Sequence, residues 1–446
     1  MSQIQVVRKA FAAILCGLIF MSSYSRLEGQ QPLYYATFGL GFGARALGMG
    51  GAYIAISDDI TAMNYNPAGL AQLMKPEFSL GVRYGGQRYQ STMVITEDTI
   101  HDPLVSAYRR FVWDYFGGLI PFKLGKIPVV LGISQSIKGS DRAQYVYSWH
   151  YANYISPFTE KNVEYYQDNR VDNRGNISTL SFSLSVRPIQ ALHLGLNINL
   201  WDEDARGKWW NRNETISYTP YNESGVDFFS NEYIERFDHG TNFDFGLLLK
   251  LQKLSFGAVY RTSFKANFFR WDRWTWDQGT SVSRDEWQYD ATLHWPESYA
   301  LGLCVRPSDA LTVSLDYNRA NWSAGKVIVD DTLEEIGYPN YAPRDTQQLR
   351  AGVEYLVSRS RLAVPLRLGG FINEVFWSDW EDKPIRYYGF TCGAGLALKS
   401  ITLDLAAIYS IGKYREVYVY ANEIPYYDKV KEMDWEILLS ITYRLW

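Results

Sequence analysis

The chain has almost no long apolar run. Crossing a bilayer as a helix takes about 20 consecutive apolar residues, and only the N-terminus of this sequence comes near that. With a mean hydropathy of −0.23 over 446 residues, a helical membrane protein is excluded. Histidine is scarce as well: His101, His150, His193, His239 and His294 are scattered, and only His193 projects from a regular strand. No serine–histidine or metal-ligand spacing accompanies it, so no catalytic residue, metal or cofactor is expected. Positive charge is not in excess, since the net charge is −4 and the pI near 5.9. A duplex or single strand of nucleic acid needs a basic footprint, so nucleic acid is excluded as a partner. Gly41 to Ala46 superficially matches a dinucleotide fingerprint, but no strand–helix–strand unit surrounds it.

Aromatic residues are abundant at 16%, with 34 Tyr and 15 Trp. Together with alternating polarity they suit a barrel wall whose outer face meets lipid and whose lumen is wet. At the N-terminus Arg8 and Lys9 precede the apolar Ala10 to Met21 and the small residues Ser22, Ser23 and Ser25. This order predicts an export signal over 1–25.

From residue 77 onward apolar and polar residues alternate with period two, which sends successive side chains to opposite faces of a strand. Leu180, Phe182, Leu184 and Val186 stand against Ser181, Ser183, Ser185 and Arg187. Leu192, Leu194, Leu196, Ile198 and Leu200 stand against His193, Gly195, Asn197 and Asn199. The pattern predicts fourteen strands, near 77–90, 112–122, 127–140, 176–188, 190–203, 241–250, 253–266, 288–305, 310–322, 346–358, 363–375, 386–399, 400–414 and 432–446. Six short connections alternate with seven long ones, near 91–111, 141–175, 204–240, 267–287, 323–345, 376–385 and 415–431. That alternation predicts an all-β chain: a transmembrane antiparallel barrel of about fourteen strands, with tight periplasmic turns and long outer loops. The strand phases put Cys304 and Cys392 on opposite faces of the wall, which excludes a disulfide between them.

Residues 26–76 lack such alternation and are rich in glycine, so they are expected to form an N-terminal plug inside the barrel of 77–446. Within them stand Gly43-Ala44-Arg45-Ala46-Leu47-Gly48-Met49-Gly50-Gly51-Ala52, Asp58-Asp59 and Asn66-Pro67-Ala68-Gly69-Leu70. Further on come Pro296-Glu297-Ser298-Tyr299-Ala300-Leu301-Gly302-Leu303 and Leu311 to Tyr317. This constellation resembles the plug and mid-barrel hairpin of the long-chain fatty acid transporter (FadL) superfamily of outer-membrane proteins, including its PorV-like branch. The resemblance implies a bacterial outer-membrane channel for passive uptake of small hydrophobic compounds such as long-chain fatty acids. Its alternative is a PorV-like platform that binds secreted proteins. Outer-membrane lipid and a hydrophobic ligand are the partners implied by the first reading.

Arg45, Asp58, Asp59, Asn66, Pro67 and Ala68 are the candidate plug and gate residues. Asp58 or Asp59 suits a helix cap and Pro67 a first helical position. The Asn66–Ala68 triplet either shapes the plug or lines the route a ligand must open. With apolar faces toward lipid, the lumen receives Arg187, Asn197, Asn199, Asp244, Arg261, Asp316, Arg350, Glu354, Arg367, Asp404, Glu436 and Arg444, which are expected to pair with each other and with the plug. Trp209, Trp210, Phe268, Phe269, Trp271 and Trp274 in the long connections are candidate capture residues, or else part of an interfacial girdle.

Overall fold

The computed structural model describes residues 41–445 except 97–98, 101–103, 156–161, 204–208, 219–226, 278–281, 330–331, 335–342, 360–361, 380 and 419–425. The expected signal segment, Gly39, Trp446 and the first part of the plug therefore lie outside the described residues. Side chains within some further strand segments also lie outside them.

Fourteen antiparallel strands close into one barrel. In wall order they are Glu77–Thr96, Leu104–Leu124, Ile127–Ile155, Asn162–Ile189, Leu192–Glu203, Asp227–Lys250, Leu254–Arg261, Ser298–Ser308, Leu311–Ala320, Thr346–Arg359, Leu362–Ser378, Pro384–Ala397, Ile401–Tyr418 and Tyr426–Arg444. The first and last pair over their full height, from Glu77 opposite Arg444 to Val94 opposite Tyr427, so no edge is left open. A bilayer core cannot hydrate a free strand edge, and closure pairs the first edge with the last.

The polarity of the two faces is inverted relative to a soluble protein. Phe182, Leu184, Leu194, Ile198, Leu200, Phe243, Phe245 and Leu247 are exposed, while Ser181, Ser183, Ser185, Asn197, Asn199 and Asp244 are buried. On the last strand the outward Ile437, Leu439 and Ile441 run between Trp435 and Tyr443. Tyr84 packs edge-on against Trp435, their ring centroids 5.5 Å apart, and Phe111 meets Trp113 at 6.4 Å. An aliphatic band flanked by aromatic rings is the lipid-facing surface of a membrane barrel. Among the described residues no helix is long and apolar enough to cross a membrane. The strands make the crossing. Cys304 is buried and Cys392 exposed, both free, as the strand phases require.

Two expectations need correction. The strand expected near 288–305 is two pieces, Val282–Trp295 and Ser298–Ser308, separated at Pro296, which has no N–H to give to the ladder. Its neighbour near 253–266 breaks at the same height, between Leu254–Arg261 and Phe264–Asp277. Thr262 spans that break: its N–H donates to the Phe243 carbonyl at 2.9 Å, and its Oγ1 accepts from the Phe243 N–H at 3.0 Å. Secondly, much of what reads as long loop is sheet. Ile127–Ile155 and Asn162–Ile189 form one tall hairpin, and Trp209–Tyr218, Phe264–Asp277, Val282–Trp295 and Lys326–Val329 continue the wall above the membrane band.

Candidate plug and lumen site

The segment from Gly41 to Pro76 fills the lower lumen with two short helices, Ala44–Gly48 and Ala62–Tyr65, and a 3-10 helix, Pro67–Gln72. It approaches the wall so closely that several wall strands carry glycine where they meet it. A Cβ on Gly195 would lie 2.2 Å from the Ala68 nitrogen, and one on Gly369 would lie 2.2 Å from the Gly50 nitrogen. Gly50 itself has φ +69° and donates its N–H to Thr391 Oγ1 at 2.9 Å. The plug backbone thus rests on the inner wall without side chains between them.

Two charge networks tie it down. Arg45 reaches Asp58 at 2.7 Å and Glu354 at 3.2 Å. Arg367, whose side chain is 1% exposed, joins Glu354 and Asp404 at 2.6 Å each. Burial alone would raise the Asp58 carboxyl pKa, but Arg45 and Arg306 hold it below its ordinary value. Tyr53 donates its hydroxyl to Asp59 at 2.7 Å, and the Tyr53 and Ile54 amides donate to Asp316 at 2.6 and 2.8 Å.

The second network stands where the barrel closes. Opposite the first strand the ladder steps from Trp113 to Tyr115, so Asp114 is an extra residue, and both Asp114 and Tyr115 point inward. This is a β-bulge, which re-aims a side chain. Asp114 accepts from the Gly43 N–H at 2.9 Å and pairs with Arg83 at 2.6 Å, while Arg83 and Arg110 both reach Glu436. The Ala44 N–H donates to Ser440 on the last strand at 2.9 Å.

The predicted residues fall as follows. Arg45, Asp58 and Asp59 come together; Asp59 accepts from the Thr61 N–H at 2.9 Å, heading the turn before the second helix. Asn66 caps the 3-10 helix by accepting from the Ala68 N–H at 3.1 Å, with Pro67 at its start. The Asn66 amide also donates to the carbonyls of Ile54 and of Leu247 in the wall, both at 3.0 Å. Trp209 and Trp210 lie in the Trp209–Tyr218 strand and Phe268, Phe269, Trp271 and Trp274 in Phe264–Asp277, all on sheet rather than on loops. The side chains of Trp209, Trp210, Phe268 and Trp274 lie outside the described residues. Half-buried Phe269 and Trp271 share the outward phase of Lys265 and Asn267.

The aromatic feature of the lumen is a different set. Trp201, Phe264, Trp295, Trp322, Phe376 and Trp377 form a continuous chain of rings, with neighbouring centroids 4.8 to 5.7 Å apart. Trp201 occupies a lumen-facing position in phase with Asn197 and Asn199, and that is the signal by which the sequence shows it. Trp322 sits in the Trp322–Ala324 3-10 turn, where no alternation could single it out. Beneath these rings is a cavity of about 210 Å³. Trp201, Phe264, Trp295 and Trp322 line its upper part, Asn199, Asn242, Asp244, Arg261 and Arg350 its sides, and the plug residues Gly41, Phe42, Ile54 and Tyr65 its floor.

No protein-family model matches the chain, and no curated protein is similar to it. Solved structures are: a Pseudomonas aeruginosa FadL homologue aligns over 90% of this chain and 99% of its own, with a TM-score of 0.62 and 13% identity. The fold is that of the FadL-type outer-membrane channels. The P. putida toluene transporter TodX aligns over 91% and 99%, with a TM-score of 0.57 and 15% identity. The Ralstonia pickettii toluene transporter TbuX aligns over 92% and 100%, with a TM-score of 0.55 and 16% identity. The FadL-type fold and the lipid-facing band together put the barrel in a bacterial outer membrane.

Proposed function

We propose that this chain is a channel for passive entry of small hydrophobic compounds, and that its lumen takes molecules of about one aromatic ring. The carrying observation is the ring chain from Trp201 to Trp377 over a cavity of about 210 Å³. A cavity of ~150 Å³ is enough for benzene, so this one has room for a single-ring compound. Apolar surface on one side and a few polar groups on the other is the usual make-up of a small-molecule site. The polar sides mean that the apolar lining does not run unbroken to Asn66, and the plug closes the floor, so passage requires the plug to move. The two hydrogen bonds from Asn66 to Ile54 and Leu247 are among those that movement must break, which gives the triplet its role as a gate.

The structural similarity to the toluene transporters TodX and TbuX supports a ligand of this size. A platform for secreted proteins would place recognition on the outer rim, whereas an aromatic site inside the lumen favours a small ligand. Tryptophan fluorescence of the purified barrel, titrated with toluene and with palmitate, tests the reading. Saturable quenching by toluene, weakened at least several-fold in Trp322→Ala, is expected. Absence of saturable binding by either compound, with a secreted protein copurifying instead, would overturn it.

A further inference from the structure

The outer surface carries a feature that transport does not use. On Ile401–Tyr418 the outward Leu405 and Tyr409 are followed in phase by Lys413 and Arg415. On Tyr426–Arg444 the outward Ile437 and Leu439 continue as Lys431 and Lys429, on Glu77–Thr96 Tyr84 continues as Arg88, and on Leu104–Leu124 Phe111 continues as Arg109. These four strands are consecutive around the closure of the barrel. Lys413 stands directly opposite Lys431, and Arg415 opposite Lys429. Lys431 pairs with Gln90, two residues from Arg88, and Arg88 pairs with Ala107, two residues from Arg109. Diagonal neighbours of this kind are roughly 7–8 Å apart, so the cations form one unbroken stripe.

Like charges placed directly opposite on a sheet are destabilising. Arg415 is offset by Glu381 at 2.8 Å. Among the described residues no carboxylate pairs with Lys413, Lys431, Arg88 or Arg109. The acids of the same region, Glu432, Glu436 and Asp114, are buried on the lumen side. Across the barrel Thr241, Glu297 and Gln347 face outward at the top of the band, and Arg319 is matched by Asp345 at 2.7 Å. Lys265, His294 and Lys326 form a separate, smaller basic patch there, spread over three strands. The four-strand stripe lies on the opposite flank.

Its height identifies the occupant. It begins two to four residues above Tyr84, Trp435, Tyr409 and Phe111, the aromatic belt on the long-loop side. At ~3.3 Å per residue that is the level of the lipid headgroups in the outer leaflet. Basic clusters at headgroup height bind anionic lipid. We propose that this flank binds a bisphosphorylated glycolipid of the outer leaflet, its phosphates bridging Lys413, Lys431 and Arg88 while its acyl chains lie along Tyr409, Ile437 and Leu439. The proposal does not depend on what passes through the lumen.

Native mass spectrometry of the full-length barrel in detergent tests it, with bisphosphorylated lipid A, dephosphorylated lipid A, phosphatidylglycerol and inorganic phosphate as probes. One lipid A is expected to stay bound to the wild type. Its apparent affinity is expected to fall at least tenfold in Arg88→Gln/Lys413→Gln/Lys431→Gln and on dephosphorylation of the lipid, and to be unchanged in Lys265→Gln on the opposite flank. Heat-shifted gel migration checks closure of the triple variant, and Lys431→Gln alone is read if the triple does not close. Equal retention by the variants and the wild type overturns the proposal. So does equal competition by phosphatidylglycerol, or displacement by inorganic phosphate at the same concentration, which would reveal a general anion site.

Discussion

The upper and lower halves of the lumen are built on opposite principles. Above, six aromatic rings meet through soft, non-directional contact, and a cavity remains beneath them. Below, the plug is held by directed bonds from charged side chains and by backbone resting on glycine. The difference teaches where selectivity and where closure reside: rings can accommodate any apolar guest of suitable size, whereas a hydrogen-bonded charge network has one arrangement.

The comparison can be broken most severely at the glycine contacts. Gly195→Val would place carbon atoms within the plug backbone at Ala68, and neither side has a flexible group that can yield. We expect the plug to be expelled or the barrel to misassemble, read as a large rise in single-channel conductance or as loss of the heat-resistant band on gels. Wild-type conductance with an intact barrel would show that the lower half tolerates what its geometry forbids.

Arg367→Ala is the next largest. It leaves Glu354 and Asp404 facing each other without their buried cation, and breaking such a pair costs about 3–5 kcal/mol. Denaturant unfolding in detergent should report this loss, and Arg367→Lys should restore only part of it because a single ammonium replaces two separate guanidinium contacts. The upper half should respond differently. Trp322→Ala removes stacking on Phe376 and edge contact with Trp295, each worth about 0.5–1.5 kcal/mol. Those contacts lie within the protein, so their loss should lower stability by less than Arg367→Ala does, while loss of the Trp322 ring from the cavity lining should lower toluene affinity about tenfold. A stability loss as large as that of Arg367→Ala would erase the distinction between the halves.

The smallest effect concerns acid. Because Asp58 has a folded-state pKa below its ordinary 3.8, its pairing with Arg45 contributes stability above that value and loses it as pH falls through the folded pKa. Plug protection against proteolysis should stay constant from neutral pH down to about 5 and weaken only in stronger acid. Loosening at mildly acidic pH would show that another group holds the plug.

Much of this was legible from the chain alone. Alternation around Leu180–Val186 and Leu192–Leu200 identified wall strands and their faces, because hydrocarbon on one side and water on the other impose period two. The segment around Arg45 and Asp58-Asp59 was readable as a plug through its glycines and its resemblance to known sequences. The extension at 162–175 was not readable as sheet because Gln167 to Asn176 is almost wholly polar and offers no apolar face to follow, and without that partner the stretch at 141–155 read as loop. Trp322 escaped notice because it enters the lumen from a turn, and Trp201 because a lumen position was expected to be polar. The bulge at Asp114 shifts the phase of its strand by one residue, so no single period of two runs through Leu104–Leu124.

The bond from the Ala44 amide to Ser440 spans 396 residues of sequence. The part of the chain made early thus finds an acceptor on the part made last. Contacts so remote in sequence form late, after the intervening chain has ordered. The N-terminal segment therefore acts as a clasp that can fasten only on a finished cylinder, so an incompletely zipped barrel has no means of shutting itself.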